Sequence, residues 1–177
     1  MKLKDIKAEL KEYFFLYPSA KMRVRQVERA IKAPLHSVIR YTKELEKGGF
    51  LKSNSIASVT FYSADRASAT FLLEKKLYNL RSLFSSGLVK FLIQELSNPN
   101  MVVFGSYSRG EDVENSDIDL FVESVQKDVP SLSRFEKKLQ RRIQLFKYKD
   151  ISKVENKELA NNIVNGITLN GFLEVFK

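Results

Sequence analysis

Two aspartates separated by a single residue are the strongest chemical signal in this sequence. Asp117 and Asp119 lie between Ser116 and Val122, where apolar residues alternate with the period of a β-strand. Side chains two apart on a strand leave the same face, with Cα atoms about 6.6–6.8 Å apart. Two such carboxylates can converge on divalent metal ions about 3.5–4 Å apart. They repel by up to about 4 kcal/mol at 4 Å in an effective dielectric of about 20, and a bound cation would relieve this repulsion.

A glycine–serine pair precedes the aspartates. The apolar run 101–104 follows the turn signal Asn98-Pro99-Asn100 and predicts an interior strand, which Gly105 and Ser106 end. Glycine and serine between a buried strand and a helix let backbone N–H groups and a hydroxyl approach a phosphate closely. The sequence therefore predicts an anion site next to the carboxylates.

Two other interpretations of the aspartates were open. An isolated Asp-x-Asp is usually a surface strand with solvated side chains, and a calcium loop is the second possibility. The calcium loop is disfavoured because the segment 112–120 has no glycine at the sharp-turn position. The Gly-Ser turn, Arg109-Gly110 and the Asp pair, at this spacing, favour a nucleotide and metal site over the surface strand.

The residues 105–120, GSYSRGEDVENSDIDL, resemble the signature of the DNA polymerase beta-like nucleotidyltransferase superfamily in its minimal form. The resemblance implies a nucleoside triphosphate as substrate and two Mg²⁺ ions. It implies that Asp117 and Asp119 are the metal ligands and catalytic carboxylates. It further implies nucleotide-binding roles for a set around them: Gly105 and Ser106 on phosphate, Arg109 and Gly110 at the helix end and loop, and Ser116 beside the metals.

The superfamily normally has a third carboxylate on a neighbouring strand, acting as general base or metal ligand. In this chain the predicted strand 141–146 puts Gln144 at the aligned position. Asp150 and Glu123 are the possible substitutes, although neither matches the family pattern. The amide in place of a carboxylate bears on turnover more than on nucleotide binding.

Charge is unevenly divided along the 177 residues. Residues 1–66 hold 14 Lys/Arg against 7 Asp/Glu, whereas residues 67–177 hold 16 against 14. A basic half beside an acidic site indicates a polyanion-binding module joined to a catalytic or sensing one. The absence of cysteine and the presence of one histidine exclude thiolate and His-cluster metal sites. The N-terminus lacks a signal-peptide core and no run is long enough to span a membrane, so we expect a cytoplasmic protein.

The basic half predicts three helices and a hairpin. Helices are expected over 2–16, 24–31 and 34–47, the last with Leu35, Val38, Ile39 and Leu45 on its inner side. Strands at 50–52 and 57–62 are expected around a polar turn at Ser53-Asn54-Ser55. This pattern, with ELEKGGFLK and a strand ending in FYS, resembles a winged helix-turn-helix over residues 1–65.

That resemblance implies DNA as a partner, with the third helix in the major groove. Its outward side chains and two nearby arginines are the candidate contacts: His36, Ser37, Arg40, Tyr41 and Lys43, with Arg23 and Arg25 near the phosphate backbone. The alternatives are a solvated face or a module for protein contacts.

A helix over 66–84 carries Leu73, Leu77, Leu80 and Phe84 on one stripe, which must be buried. Packing between domains and homodimerisation explain the stripe equally well. Further helices are expected over 87–97, 131–141 and 156–166, with a return to the sheet edge at 167–171. Lys137, Lys138, Arg141 and Arg142 are either a solvated helix face or cations that gather triphosphate or nucleic acid.

The sequence thus predicts an α+β protein: a winged helix domain (1–65), a linker helix (66–84) and a nucleotidyltransferase domain (85–177) with a mixed sheet flanked by helices. The leading functional hypothesis is Mg-dependent transfer of a nucleoside monophosphate to an unidentified hydroxyl, coupled to DNA binding. The alternative is a non-catalytic DNA-binding regulator, or an antitoxin-like protein, whose transferase domain binds only nucleotide or a partner protein.

Overall fold

The structure, a computed structural model, describes residues 5–126, 128 and 130–175. Contacts divide the chain into two units, Met1–Lys75 and Lys76–Lys177. Among the described residues, no helix combines the length and apolarity needed to cross a bilayer.

Three helices and a hairpin form the first unit. They are α1 (Ile6–Leu16), α2 (Val24–Ile31), α3 (Leu35–Lys47), β1 (Leu51–Ile56) and β2 (Val59–Ala64). Residues 2–4, in the predicted first helix, lie outside the described part of the chain. Asp5 begins α1 by accepting a hydrogen bond from the Ala8 N–H at 3.0 Å. The order of helices and hairpin confirms the predicted element order.

The hairpin turn is not where the sequence predicted it. Ser53, Asn54 and Ser55 lie inside β1, and the chain turns at Ala57 and Ser58. Both turn residues have positive φ (47° and 62°), which matches a two-residue turn whose twist suits paired strands. The prediction was wrong because every residue of β1 after Leu51 is exposed. Its sequence therefore lacks the alternation of apolar and polar residues that marks a half-buried strand, and its polar residues resemble a turn.

The core of the first unit contains one unexpected residue. Leu10, Phe14, Val27, Val38 and Leu45 are buried, but Ile39 is 40% exposed and does not lie on the inner side of α3. Thr42 occupies that side instead, fully buried, with its hydroxyl donating to the Val38 carbonyl at 2.8 Å. This bond satisfies the hydroxyl, so a polar residue can replace the expected isoleucine.

The next helix, α4 (Ala69–Ser86), buries a different face from the predicted one. Leu73, Leu77 and Phe84 are 58%, 57% and 54% exposed, and only Leu80 of that stripe is partly buried. The buried face consists of Phe71, Lys75, Asn79, Leu83 and Ser86. The prediction failed because three of these residues are polar and each is hydrogen-bonded. The Lys75 ammonium donates to the Phe15 carbonyl at 2.9 Å, the Asn79 amide donates to the Tyr107 carbonyl at 2.9 Å, and the Ser86 hydroxyl donates to the Leu83 carbonyl at 2.7 Å.

A four-stranded mixed sheet organises the second unit. Its elements after α4 are α5 (Leu88–Glu95), β3 (Asn100–Phe104), α6 (Gly105–Arg109), β4 (Ile118–Glu123), α7 (Ser133–Leu139), β5 (Ile143–Tyr148), a 3₁₀ turn (Ile151–Lys153), α8 (Lys157–Val164) and β6 (Ile167–Asn170). The strand order is β5-β4-β3-β6, with β4 and β5 parallel and the other pairs antiparallel. The predicted mixed sheet flanked by helices is confirmed.

Both faces of this sheet are covered. Met101, Val103, Ile118, Leu120 and Val122 pack with residues of α4, α5 and α7 on one face. Val102, Phe104 and Phe121 pack with Ile151 and Ile163 on the other. Because both faces are apolar, polar residues of the central strands emerge only at the strand ends.

Candidate functional site

The end of β3 touches the first aspartate of β4. Phe104 pairs with Asp119 across the antiparallel ladder, and Gly105 follows with φ of 70°. A Cβ at residue 105 would overlap Oδ2 of Asp119. Glycine is therefore required here twice, once for its backbone conformation and once for the space that the carboxylate occupies.

The carboxylate of Asp119 is held at an energetic cost. Burial raises the pKa of Asp119 above its usual 3.8, repulsion from Asp117 raises it further, and Arg109 opposes both effects. Within the described residues, neither carboxylate accepts a hydrogen bond or forms a close ion pair. Asp117 lies one residue before β4, and both side chains are half-buried. The pair is thus a concentrated negative charge that a cation would stabilise.

Gln144 lies directly beside Asp119. The two residues are partners in the parallel β4–β5 register, about 4.8 Å apart, and side chains in register share a face. Gln144 is exposed, so its amide is accessible at the same strand end. The position aligned from the sequence is therefore next to the Asp pair and holds an amide.

Glu123 and Asp150 lie at the opposite end of the sheet. Glu123 ends β4, four residues and about 13 Å from Asp119. Its two oxygens accept hydrogen bonds from Asn100 Nδ2 at 2.6 Å and from the Ile151 N–H at 2.8 Å. Asp150 caps the 3₁₀ turn by accepting from the Ser152 N–H. Neither carboxylate is placed to replace the missing third one.

The loop from α6 to β4 is held by short-range bonds. Gly110 ends α6 in the left-handed conformation, with φ of 75°. Arg109 forms an ion pair with Glu111 at 2.7 Å, and Ser108 Oγ donates to the Gly105 carbonyl at 2.9 Å. Ser116 closes a turn, since its Oγ accepts from the Val113 N–H at 2.9 Å. Ser106 is half-buried beside Gly105.

A buried polar cluster supports this loop, and the sequence did not reveal it. Asp112 is 1% exposed and accepts a hydrogen bond from Asn79 Nδ2 at 2.7 Å. The same amide donates to the Tyr107 carbonyl at 2.9 Å, and Arg141 Nη2 lies 3.7 Å from Asp112 Oδ2. Burial raises the pKa of Tyr107 far above its usual range, and the negative Asp112 adds to that shift.

Arg141 does not have the exposed position that the sequence predicted for it. Its side chain is only 6% exposed, so it belongs neither to a solvated helix face nor to a freely available cation group. α7 ends at Leu139, and Gln140 takes a left-handed conformation that turns the chain toward β5. No local periodicity marks Asp112 or Arg141, because their pairing joins two loops 29 residues apart.

A cleft of about 570 Å³ lies beside Asp117. One wall is the loop segment 114–117, and the other is the end of α7 with residues 140–142. The Ile118 N–H donates to the Arg142 carbonyl at 2.8 Å, which joins the walls at their base. Among the described residues, no group of three or more His, Cys, Asp or Glu side chains is arranged to hold a metal ion.

The candidate DNA contacts lie in the first unit and are mostly exposed. Arg23, Arg25, His36, Arg40 and Lys43 are exposed, while Ser37 and Tyr41 are half-buried. The Arg40 guanidinium lies 4.3 Å from the centre of the Tyr41 ring, donates to the Tyr41 hydroxyl and approaches Glu44 at 3.5 Å. The Arg23 guanidinium lies 5.1 Å from the Phe61 ring centre on β2.

Comparison with known proteins supports the second unit alone. No curated protein and no solved structure matches the chain. No family model matches the helices and hairpin of the first unit. A family model described as "Nucleotidyltransferase domain" matches residues 85–165, a little under half of the chain. The matched range contains the strands β3, β4 and β5 and both aspartates, so residues 85–165 are a nucleotidyltransferase domain.

Proposed function

We propose that the protein is an enzyme that transfers a nucleoside monophosphate from a nucleoside triphosphate to a hydroxyl group, with Mg²⁺ as cofactor. The observation that carries this proposal is the contact of Gly105 with the Asp119 carboxylate. It brings the predicted phosphate-binding turn, 105–106, against the predicted metal ligand. A triphosphate at the turn would therefore share its counter-ions with Asp117 and Asp119.

The carboxylates suit Mg²⁺. This ion prefers oxygen ligands and is usually bound by one or two carboxylates together with substrate phosphates. The raised pKa of Asp119 fits a site completed by cations, and so does the lack of hydrogen bonds to the pair from the described part of the chain. Bound Mg²⁺ would neutralise developing charge on the phosphates and orient the attack.

The proposed reaction forms a bond between the acceptor oxygen and the α-phosphorus. The bond between the α-phosphorus and the oxygen bridging to the β-phosphate breaks, and pyrophosphate leaves with its electron pair. The acceptor hydroxyl releases its proton to solvent water, since the Gln144 amide cannot accept it near neutral pH. In the proposal, Gly105, Ser106, Arg109, Gly110 and Ser116 contact or shape the nucleotide site.

A non-catalytic nucleotide-binding role is the second candidate, and Gln144 favours it. An amide oxygen can orient a metal or a hydroxyl, but it cannot accept a proton as a general base near neutral pH. A regulator or an antitoxin-like protein with a protein partner would need only the binding step.

The two candidates are separated by following label from α-labelled triphosphates. The assay contains Mg²⁺ and, as acceptors, the protein itself, nucleic acid and a cell extract. Transfer that disappears in Asp117→Asn supports the enzyme. Tight Mg-dependent binding of a triphosphate analogue without transfer to any acceptor supports the binding role.

We further propose that the first unit is a winged helix that binds DNA. Support comes from the excess of basic residues in 1–66 and from the exposed cations on α2 and α3. In this proposal Arg40, His36, Ser37, Tyr41 and Lys43 face the major groove. Arg23 and Arg25 lie along the phosphate backbone.

Salt-dependent titration of labelled genomic fragments tests DNA binding. Affinity that falls steeply with salt is expected, because phosphate contacts release counter-ions. Arg40→Ala is expected to weaken specific binding by roughly 1–3 kcal/mol if it reads a base edge. The matched control is Lys90→Ala, an exposed cation in the second unit. Absence of binding at low salt contradicts the proposal.

Homodimerisation through residues 66–84 remains a proposal as well. The exposed Leu73, Leu77 and Phe84 on α4 support it, since surface apolar side chains along one stripe are typical of interfaces. Sedimentation of wild type and Leu77→Glu tests it. A monomer at all concentrations contradicts it.

A further inference from the structure

The cleft next to Asp117 lies on the opposite flank of the carboxylates from the phosphate-binding turn. Gly105 contacts Asp119 from the β3 side. Residues 140–142 precede β5, which pairs with β4 on its other edge. A triphosphate held at the turn would therefore leave this cleft open to a second reactant.

Bonds within the protein hold the two walls of the cleft in place. Asp112 and Arg141 join the two loops through a buried ion pair, and Asn79 holds Asp112 from α4. Glu136, a lining residue, accepts a hydrogen bond from the Ile143 N–H at 2.9 Å. Arg141 and Glu136 thus hold the shape of the cleft, and the charge of Arg141 is paired with Asp112 within the protein.

Two other cations of the cleft have no such role. Lys137 and Arg142 line the cleft and are exposed, and no hydrogen bond or ion pair engages either side chain within the described residues. Neighbouring Lys138 differs, because its ammonium donates to the carbonyls of Ser85 and Ser86 at 3.2 and 3.0 Å. The available positive charge is therefore concentrated on the wall facing Asp117.

We infer that this cleft binds the acceptor and that the acceptor carries a phosphate group near its reactive hydroxyl. The inference rests on the proposed transferase function. Lys137 and Arg142 bind the phosphate, since ammonium and guanidinium groups form strong charge-assisted hydrogen bonds to it. The hydroxyl then lies toward Asp117, where its oxygen can form the new bond to the α-phosphorus as pyrophosphate leaves. A sugar phosphate and the end of a nucleic acid share this chemistry.

The test uses ribose 5-phosphate, with ribose as the matched probe lacking the phosphate. Both are titrated into the full chain with Mg²⁺ and a non-hydrolysable triphosphate analogue, while the amide resonances of 114–117 and 136–142 are followed by NMR. Ribose 5-phosphate is expected to shift these resonances, and ribose is not. Lys137→Gln and Arg142→Gln are each expected to weaken binding about tenfold, on the scale of one charge-assisted hydrogen bond.

Lys149→Gln is the control, because Lys149 is an exposed cation that follows the C-terminal end of β5, whereas Gln144 lies near its N-terminal end. It is expected to leave the affinity unchanged. Equal binding of ribose and ribose 5-phosphate, or equal affinity in all variants, overturns the inference. A short RNA that binds more tightly than ribose 5-phosphate, with the same loss in both variants, identifies a nucleic-acid end as the source; the reverse order identifies a sugar phosphate.

Binding of the triphosphate analogue, measured in the same samples, separates this inference from the transferase proposal. Mg-dependent analogue binding without a cleft response overturns the inference alone. A cleft response without analogue binding contradicts the transferase proposal and with it the role of the cleft as an acceptor site.

Discussion

The two ends of the four-stranded sheet both carry carboxylates, but the carboxylates differ in their hydrogen bonding. At one end Glu123 accepts hydrogen bonds from Asn100 and the Ile151 N–H, and Asp150 caps a turn. At the other end Asp119 is partly desolvated, repelled by Asp117 and lacks hydrogen bonds from the described residues. A carboxylate whose oxygens are satisfied stabilises the fold. A carboxylate whose pKa is raised by burial and by a neighbouring charge is typical of a ligand site.

The largest expected effect comes from replacing one carboxylate at each end of the sheet and comparing the two variants. Asp119→Asn is expected to abolish Mg-dependent binding of a triphosphate analogue without unfolding the chain, because the Asp119 side chain forms no hydrogen bond with the residues that the structure describes. Glu123→Ala is expected to preserve that binding and to lower the free energy of unfolding by about 1–3 kcal/mol, because two partly buried donors lose their acceptor. Calorimetry and denaturant unfolding measure the two quantities, and unchanged analogue affinity in Asp119→Asn would make the Asp pair structural.

Restoring a carboxylate at residue 144 sharpens the contrast at the Asp119 end. Gln144→Asp is expected to raise the transfer rate by about 10²–10⁴-fold if the reaction needs a general base there. The initial rate of label transfer from α-labelled triphosphates measures this. Gln126→Asp, a change of the same kind at an exposed position outside the strands, is the control. Fast transfer by the wild type that Gln144→Asp leaves unchanged contradicts the role assigned to residue 144.

Two glycines provide a matched pair at the two ends. Gly105 and Gly171 have φ of 70° and 67°, and a Cβ at either would overlap a side-chain oxygen, of Asp119 or of Asn100 respectively. Each change to alanine is expected to cost at least about 1–2 kcal/mol of stability from backbone conformation. Only Gly105→Ala is expected to weaken analogue binding as well, because it displaces the Asp119 carboxylate. Equal analogue affinity in both variants contradicts the proposed roles of the turn and of Asp119 in nucleotide binding.

The smallest expected effect is on the pH dependence of stability. The pKa of Asp119 is higher in the folded chain than in the unfolded one, so ionised Asp119 destabilises the fold. This penalty is absent below the unfolded pKa and develops as the pH rises through the folded pKa. Asp119→Asn is therefore expected to raise the melting temperature at neutral pH and to lose this advantage near about pH 4. A variant that is less stable than wild type at neutral pH contradicts the assigned pKa direction.

Much of the fold was predictable because its signals are local. The helix over 24–31 follows from the spacing of Val24, Val27 and Ile31. A strand that contains Gln144 was also predictable, although it covers residues 143–148 and not 141–146, and it pairs Gln144 with Asp119. The buried face of α4 and the inner face of α3 were not predictable in the same way. There Lys75, Asn79 and Thr42 are buried because each finds a hydrogen-bond partner, which periodicity does not report.

The candidate site likewise contains residues that the sequence could bring together and residues that it could not. Gly105, Ser106, Asp117 and Asp119 lie within one continuous motif, so their proximity could be predicted. The Asp112–Arg141 ion pair and the cleft arise from two loops distant in sequence, and only their packing in three dimensions brings them together.

The register of the sheet also sets an order of assembly for the site. Phe104 and Asp119 pair across 15 residues, Asp119 and Gln144 across 25, and Val103 and Ile167 across 64. Contacts that close shorter loops lose less chain entropy and tend to form earlier. We expect the amides of the paired strands β3 and β4, which include Asp119, to be protected first in pulsed hydrogen exchange during refolding. If Mg²⁺ binds the aspartates as proposed, it would lower the repulsion between Asp117 and Asp119 during folding. It would then speed refolding of wild type but not of Asp119→Asn.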